Sequence, residues 1–269
     1  MNKNNRLMIS PTASTSDLSG LDDYFIRITT PIDTKAPSLA TFACDRLGLK
    51  TIAVVYDLSN PSYTLSLSRY FKQELEKLGG RLPIMIPFDP RKNFSAPEIA
   101  QKIVSAGTDG VFLITNAIHA GVIAQHLRKA GSEAKIIVSQ WGFPDPAFIQ
   151  NGGRAVEGAV SLAEFNAEST DKRFVKLKHD YERRFSMPIG SASQRGYEAA
   201  QILFSALRQT DDPGKLKEAV LDGTIFKSVD GNPIVLDKFG DSVRTLFVLE
   251  IRDGKIRTIG KVVPSRLEK

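Results

Sequence analysis

Between Pro37 and Ser139 short apolar runs alternate with amphipathic stretches of helical spacing: helix 37–48, strand 51–56, helix 64–78, strand 82–88, helix 96–106, strand 110–115, helix 118–130 and strand 135–139. This alternation constrains the fold more than any other feature. Strands separated by helices pair in parallel through crossovers, and the helices then cover both faces of one sheet. The junction from Thr51 through Asp57 to Tyr63 shows the unit most clearly, with an apolar strand stopping at a polar loop before a helix. The loop at the carboxyl end of such a strand is where parallel α/β sheets hold ligands.

Local signals agree with the helices. In 64–78, Leu67, Tyr70, Phe71, Leu75 and Leu78 recur at spacings of three and four, with Arg69, Lys72, Glu76 and Lys77 opposite, and Gly79-Gly80 ends the run. Ser95 and Glu98 fit a capping box, and Gly131 closes the helix that carries Leu127. Before this region, Leu7-Met8-Ile9 reads as a short buried strand, 24–28 as a second, and 29–34 as a crossover. After Gly142 the rhythm changes. Residues 159–165 read as a strand, followed by helix 170–186 with Phe174, Leu177, Tyr181 and Phe185 inward. Helix 194–209 then presents Tyr197, Ala200, Leu203, Phe204 and Leu207, and a shorter helix spans 215–221. Residues 243–250 and 255–259 flank Asp253-Gly254 as a terminal hairpin.

The chain has 269 residues, more than the usual single domain, so one large or two smaller α/β domains are expected. Its 36 basic and 30 acidic residues are interspersed, as in 69–77 and 171–184, which describes solvated helix faces and argues against a nucleic-acid surface. One cysteine, Cys44, excludes an internal disulfide and reads as a buried structural thiol. No apolar run approaches the roughly eighteen residues that span a membrane. The first residues lack the apolar core of a signal peptide, so the chain is expected to be cytoplasmic unless an export signal lies outside it.

Familiar catalytic signatures are missing: no GxSxG, Walker A, GxGxxG or HExxH segment occurs. His119 and His126 share a helix face without the acidic or thiol partners of a metal site, and read as surface or cleft-edge residues; His179 reads as solvated. Polar and aromatic residues instead gather at carboxyl ends of strands. Ser10, Thr12 and Ser14 follow the first strand, Asn60 and Tyr63 follow 51–56, Asn116 and His119 follow 110–115, and Gln140, Trp141 and Phe143 follow 135–139. Hydroxyls and helix-start amides suit a carboxylate, and aromatic rings suit the walls of a small-molecule pocket. Ser14 and Ser62 serve equally as turn or cap residues, and Tyr63 and Phe143 equally as core.

Ile9-Ser10-Pro11-Thr12-Ala13-Ser14, Asp17-Leu18 and Tyr24 to Arg27 resemble the first-lobe segment of periplasmic solute-binding proteins of the branched-chain amino acid ABC-transporter type. Ala53 to Asp57, Tyr63, Asp109-Gly110-Val111, Gln125 to Gly131, Glu157-Gly158 and Gly196 to Ala200 continue the likeness in order over nearly the whole chain. The resemblance implies an α/β, two-lobed type I periplasmic-binding fold of parallel sheets flanked by helices. It implies a partial first lobe from 1–32 and 163–242, lacking its opening strands and helices, and a second lobe from 33–162 and 243–269. It implies a solute-binding component of an ABC importer, not an enzyme and without cofactor or metal, that takes a small carboxylate, amino acid or aromatic acid between lobes. A permease would be its partner, the periplasm its compartment, and a dimer through the incomplete lobe would cover exposed apolar surface. Thr12 and Ser14 match the loop that holds ligand carboxylate and ammonium, Tyr63 an aromatic contact, and His119 a closing residue. Gln140-Trp141 stands where amino-acid binders place an acid, which weakens an amino-acid assignment. A ligand-sensing domain of the same fold and an α/β hydrolase or transferase are the alternatives.

Overall fold

The structure, a computed structural model, describes residues 2–92, 94–222 and 225–264. In chain order its elements are β1 (Met8–Ser10), β2 (Phe25–Arg27), α1 (Ile32–Thr41), β3 (Ile52–Asp57), α2 (Pro61–Lys77), β4 (Met85–Phe88), α3 (Ala96–Ala106), β5 (Gly110–Ile114), α4 (Ala117–Lys129), β6 (Lys135–Val138) and α5 (Pro146–Gly152). They continue with β7 (Val160–Ala163), α6 (Lys172–Phe185), α7 (Ser191–Leu207), α8 (Leu216–Asp222), β8 (Ile225–Lys227), β9 (Pro233–Leu236), β10 (Ser242–Arg244), β11 (Leu246–Arg252) and β12 (Lys255–Val262). Two compact units result. One contains 35–163 and 247–260, and the other the described parts of 1–34, 164–246 and 261–269. The first-unit segment thus extends past 242 to Leu246, because Ser242 to Arg244 pair with Leu236 to Ile234 of β9 instead of joining the terminal hairpin.

The larger unit is built on a seven-stranded sheet in the order β12-β11-β7-β6-β5-β3-β4. The five strands from β4 to β7 are parallel, and β11 runs antiparallel to β7. Strands covered on both faces need no polar alternation, which is why Ile52 to Val55 and Val111 to Ile114 are continuous apolar runs, all buried. Val55, Leu113 and Val138 pack in one core with Ile103 of α3 and Ala120, Ile123 and Leu127 of α4. On the opposite face Phe71 of α2 meets Phe112 with ring centroids 4.7 Å apart. The chain moves from β3 outward to β4, then returns past β3 to β5 and continues through β6 to β7. The order therefore reverses between β3 and β5, and the helices that follow these two strands leave on opposite faces.

Several local readings change. Ser95 occupies the cap position of α3, but its side chain makes no capping hydrogen bond. Pro97, at the second helical position, has no amide proton to offer it. The helix expected at 37–48 starts earlier, at Ile32, and passes into a π-helical turn over Phe42–Arg46 that buries Cys44. The short helix α5 and the hairpin strands β8 and β9 were not anticipated. Asp253 and Gly254 both have positive φ, 52° and 67°, as a two-residue type I′ hairpin turn requires.

In the smaller unit β1 pairs in parallel with β2 alone, and β8, β9 and β10 form an antiparallel sheet. Met8, expected inside, is half exposed. So are Tyr197, Phe204 and Leu207, while α7 buries Gln194, Arg195, Glu198, Ala199, Ile202 and Ala206 instead. Phe185, at the end of α6, is exposed as well.

A charged network explains the rotation of α7. Arg244 donates to Glu198 at 2.7 Å and to the Ile28 carbonyl at 3.2 Å, and its amide donates to Thr30 Oγ1 at 3.0 Å. Glu198 also accepts from Ser228, Gln194 and the Val229 amide. Glu164 accepts from Thr29 Oγ1 at 2.6 Å, the Thr30 amide at 2.5 Å and Arg195 at 3.4 Å. Nearby, fully buried Arg27 donates to Asp241, the Thr15 carbonyl and Ser19, each at 2.6 Å. Burying an unpaired charge costs several kcal/mol, so turning three apolar side chains outward is the smaller penalty.

Burial pushes the Glu198 carboxyl up, but Arg244 and the hydrogen bonds from Ser228 and Gln194 outweigh it and hold the pKa below the ordinary glutamate value. On acidification the unfolded chain therefore takes up this proton first. The stabilisation is complete above the ordinary glutamate pKa and is lost as pH falls through the folded value. We expect Glu198→Gln to cost about 3–5 kcal/mol near pH 7, by leaving Arg244 buried without its counter-charge. Its urea midpoint should also fall less steeply with acid than the wild type's; equal midpoints for the two proteins at pH 7 would refute the assignment.

Candidate functional site

Three of the four loops singled out in the sequence share one rim of the larger unit, at the carboxyl ends of β3, β5 and β6. Brought together there are Tyr63 and Trp141, ring edge to ring face with centroids 6.0 Å apart, and Asn116 and His119. The fourth loop, with Ser10, Thr12 and Ser14, belongs to the smaller unit. Ser10 Oγ accepts from the amides of Ala13 at 3.1 Å and Thr12 at 3.4 Å, so it shapes its own turn. Thr12 is exposed, and Ser14 is buried with its carbonyl bound to the Ile32 amide.

The rim lies where the strand order reverses, the position at which doubly wound sheets open a crevice. Asp57 ends β3 fully buried. Its Oδ1 accepts from the Ser59 amide at 2.7 Å and its Oδ2 from Thr115 Oγ1 at 3.0 Å, so the carboxylate joins the ends of β3 and β5. From these ends α2 and α4 begin, with Asn60 and Asn116 as their cap residues. Asn60 is exposed and makes no side-chain cap bond, and Ser62 lies in the first turn of α2. Asn116 Oδ1 accepts from the His119 amide at 3.1 Å, which turns its Nδ2 toward His119 Nδ1 at 2.8 Å. The pattern makes Nδ1 the acceptor and leaves the ring proton on Nε2.

His119 is mostly enclosed by aromatic rings, with Phe94 at 4.6 Å and Phe88 at 5.8 Å between centroids. Burial lowers its pKa, and Asp57, whose Oδ2 is 4.0 Å from Nδ1, only partly opposes that shift. The ring is therefore neutral near pH 7. Phe88, Phe94, Asp57 and Thr115 were not among the residues picked from sequence. Phe88 ends β4 and Phe94 follows it; the carboxyl-end loop of β4, like that of β7, was passed over. Phe143 resolves as core, fully buried and 5.6 Å from Phe148. Between the loops, Gly142 lies so close to β5 that a Cβ there would sit 2.7 Å from the Thr115 carbonyl oxygen.

Other features stay outside the rim. Among the described residues no group of histidine, cysteine and carboxylates could hold a metal, and no helix is long and apolar enough to cross a membrane. His179 is exposed. A hollow beside Asp22, Tyr24 and Lys217 contains an ion pair, with Lys217 3.1 Å from Asp22.

Polar and aromatic side chains thus gather at the order reversal of a doubly wound sheet, the position at which such folds hold small ligands. The family model for periplasmic binding proteins matches residues 1–255, and the chain belongs to that family. Among solved structures it is similar to the leucine-binding protein LivK from Thermotoga maritima, at 20% identity and a TM-score of 0.86, over 98% of this chain and 75% of that one. It is similar to LivJ from Streptococcus pneumoniae, solved with isoleucine, at 17% and 0.84, over 97% and 74%. A solute-binding protein from R. palustris, solved with benzoate, matches at 16% and 0.83, over 98% and 72%. These likenesses establish the type I periplasmic-binding fold. No curated protein matches the sequence.

Two outcomes test the site. The His119 proton, followed by NMR, should titrate below the ordinary histidine value and lower still in Asp57→Asn, which removes the opposing charge. A midpoint at or above the ordinary value would contradict the enclosure. Gly142→Ala should force the β6 loop off β5, which would appear as a changed Trp141 emission with a small loss of stability; an unchanged spectrum would show that the loop has room.

Proposed function

We propose that the chain is the solute-binding component of an ABC importer, holding a small organic acid, an amino acid or an aromatic acid, at the carboxyl rim of its larger unit and releasing it unchanged to a permease. The observation that carries this reading is the joining of Tyr63, Trp141, His119 and Phe94 around the order reversal between β3 and β5. Flat aromatic walls with a few fixed polar groups are how small-ligand sites gain affinity and orientation. A neutral His119 supplies an Nε2 donor to a carboxylate without the desolvation cost of a buried cation. Binding, not turnover, suits the Asp57–His119 pair: at 4.0 Å, with Nδ1 turned to Asn116, Asp57 does not orient the ring as an acid–base dyad would.

The family's setting places such a protein in the periplasm, and we extend that location to this chain. Membership also supports a binding role, and the relatives solved with isoleucine and with benzoate supply the first ligands to try. The family resemblance assigns carboxylate binding to Thr12 and Ser14, and we infer that role for them here. Calorimetric titration of the folded chain with benzoate and isoleucine should give saturable binding to at least one, accompanied by a change in Trp141 fluorescence. Trp141→Ala should weaken it about tenfold, roughly 1.4 kcal/mol. A folded sample silent to these and to a wider panel of amino and aromatic acids would overturn the reading.

A further inference from the structure

Helix α7 has charged side chains only at Arg195 and Glu198, and both are buried, while large apolar side chains face solvent. Tyr197, Phe204 and Leu207 are 42%, 51% and 46% exposed. Together with the half-buried Gly196 and Ala200 they make one outward face of helical spacing without a charged member.

Gly196 adds an independent observation. It lies inside a 17-residue helix and has no positive φ, so glycine is less favourable there than alanine. A Cβ at this position would nevertheless meet nothing within 4 Å. Packing among the described residues therefore does not require the missing side chain, and the open notch it leaves suits close approach from outside.

The order of sizes along the face is uneven. Ser193, Gly196 and Ala200 are small and occupy its first half, and Phe204 and Leu207 are large and occupy its second. Two copies of α7 laid antiparallel about Ala200 set Phe204 over the partner's Gly196 and Leu207 over the partner's Ser193, so each large side chain meets a small one. A parallel pair would set large against large and leave the notches empty. The antiparallel pair also keeps the two copies of Arg208, the C-terminal cap residue, roughly 24 Å apart along the helix axis.

We propose that this face of α7 is an isologous interface with a second copy of the chain, built on the antiparallel pair about Ala200. Its neutrality favours that occupant. The face has no charge to recruit an acidic or basic partner, and two identical neutral faces meet without the self-repulsion expected of a chain with net charge +6. The dimer requires no particular ligand, and it gives the association expected from the sequence a face and a register. One helix pair buries less than the roughly 1,600 Å² of a standard interface, so the dimer is weak and concentration-dependent.

Sedimentation equilibrium of the full chain tests this. The apparent mass should rise with concentration from 29.6 kDa toward twice that value. Gly196→Leu fills the notch and should weaken association at least about tenfold. It should keep or raise the urea midpoint, since leucine is the better helix former and a Cβ there meets no neighbour. Phe204→Asp should weaken association similarly. On oxidation Ala200→Cys should crosslink two copies, whereas Leu207→Cys, opposite the partner's Ser193, should not; the native Cys44 is buried. A wild-type chain monomeric through the sub-millimolar range, association unchanged in Gly196→Leu or in Phe204→Asp, or crosslinking through Leu207→Cys in preference to Ala200→Cys would each overturn the inference and leave solute binding standing. The wild-type mass alone keeps it falsifiable if a variant does not fold.

Discussion

The hydrogen bond from Thr115 Oγ1 to Asp57 Oδ2 joins two strands at the point where the sheet changes direction. Because β4 lies on one side of β3 and β5 to β7 on the other, the connections leaving β3 and β5 diverge, and nothing in the backbone ladder ties their ends together beyond the last paired residues, Tyr56 and Ile114. The buried carboxylate supplies that tie. It also sets the electrostatics of the rim, because it stands 4.0 Å from His119 Nδ1 yet has both oxygens occupied. Desolvation therefore prevails and the imidazole is neutral. The site that follows is aromatic, with fixed neutral donors and acceptors.

Different physics governs the smaller unit. Its sheets have two and three strands, and neither provides a broad apolar face for a 17-residue helix. Arg244, Glu198, Glu164 and Arg195 share the interior with an apolar cluster of Ile26, Ile28, Ala199, Ile202 and Ala206, and are satisfied largely by one another and by Thr29, Thr30 and Ser228. Arg195 is the least compensated member, with contacts at 3.4 Å and Nε without a partner, and burial lowers its pKa. This network holds segments just before the chain leaves the unit, at Thr29-Thr30 and Arg244, and one just after it returns, at Glu164. Charge pairing thus adds here to a smaller apolar core, where the larger unit relies on continuous apolar strands.

Legibility in the sequence followed this contrast. The bounds of α3 were read without error, and the parallel strands within a few residues, because period and helix breakers act locally. Helix α7 was read as a helix, but the wrong face was assigned inward. Tyr197, Phe204 and Leu207 have helical spacing and Arg195 and Glu198 are charged, so only the partners of those charges, 31 to 46 residues away, reveal which face is buried. At the site, Asn116, His119, Tyr63 and Trp141 were visible as rim residues. Asp57 was visible only as the end of a strand, since its role depends on Thr115, 58 residues on. Phe94 lacked any signal beyond following β4.

By itself the sequence determined a parallel α/β sheet with ligand-facing loops and a family resemblance, because alternation, caps and turn dipeptides are properties of neighbouring residues. The tertiary structure decided the strand order, hence which loops share the reversal, and which charged side chains are interior. Those outcomes depend on pairing and desolvation between residues far apart in the chain, whose free energies exist only once the partners meet.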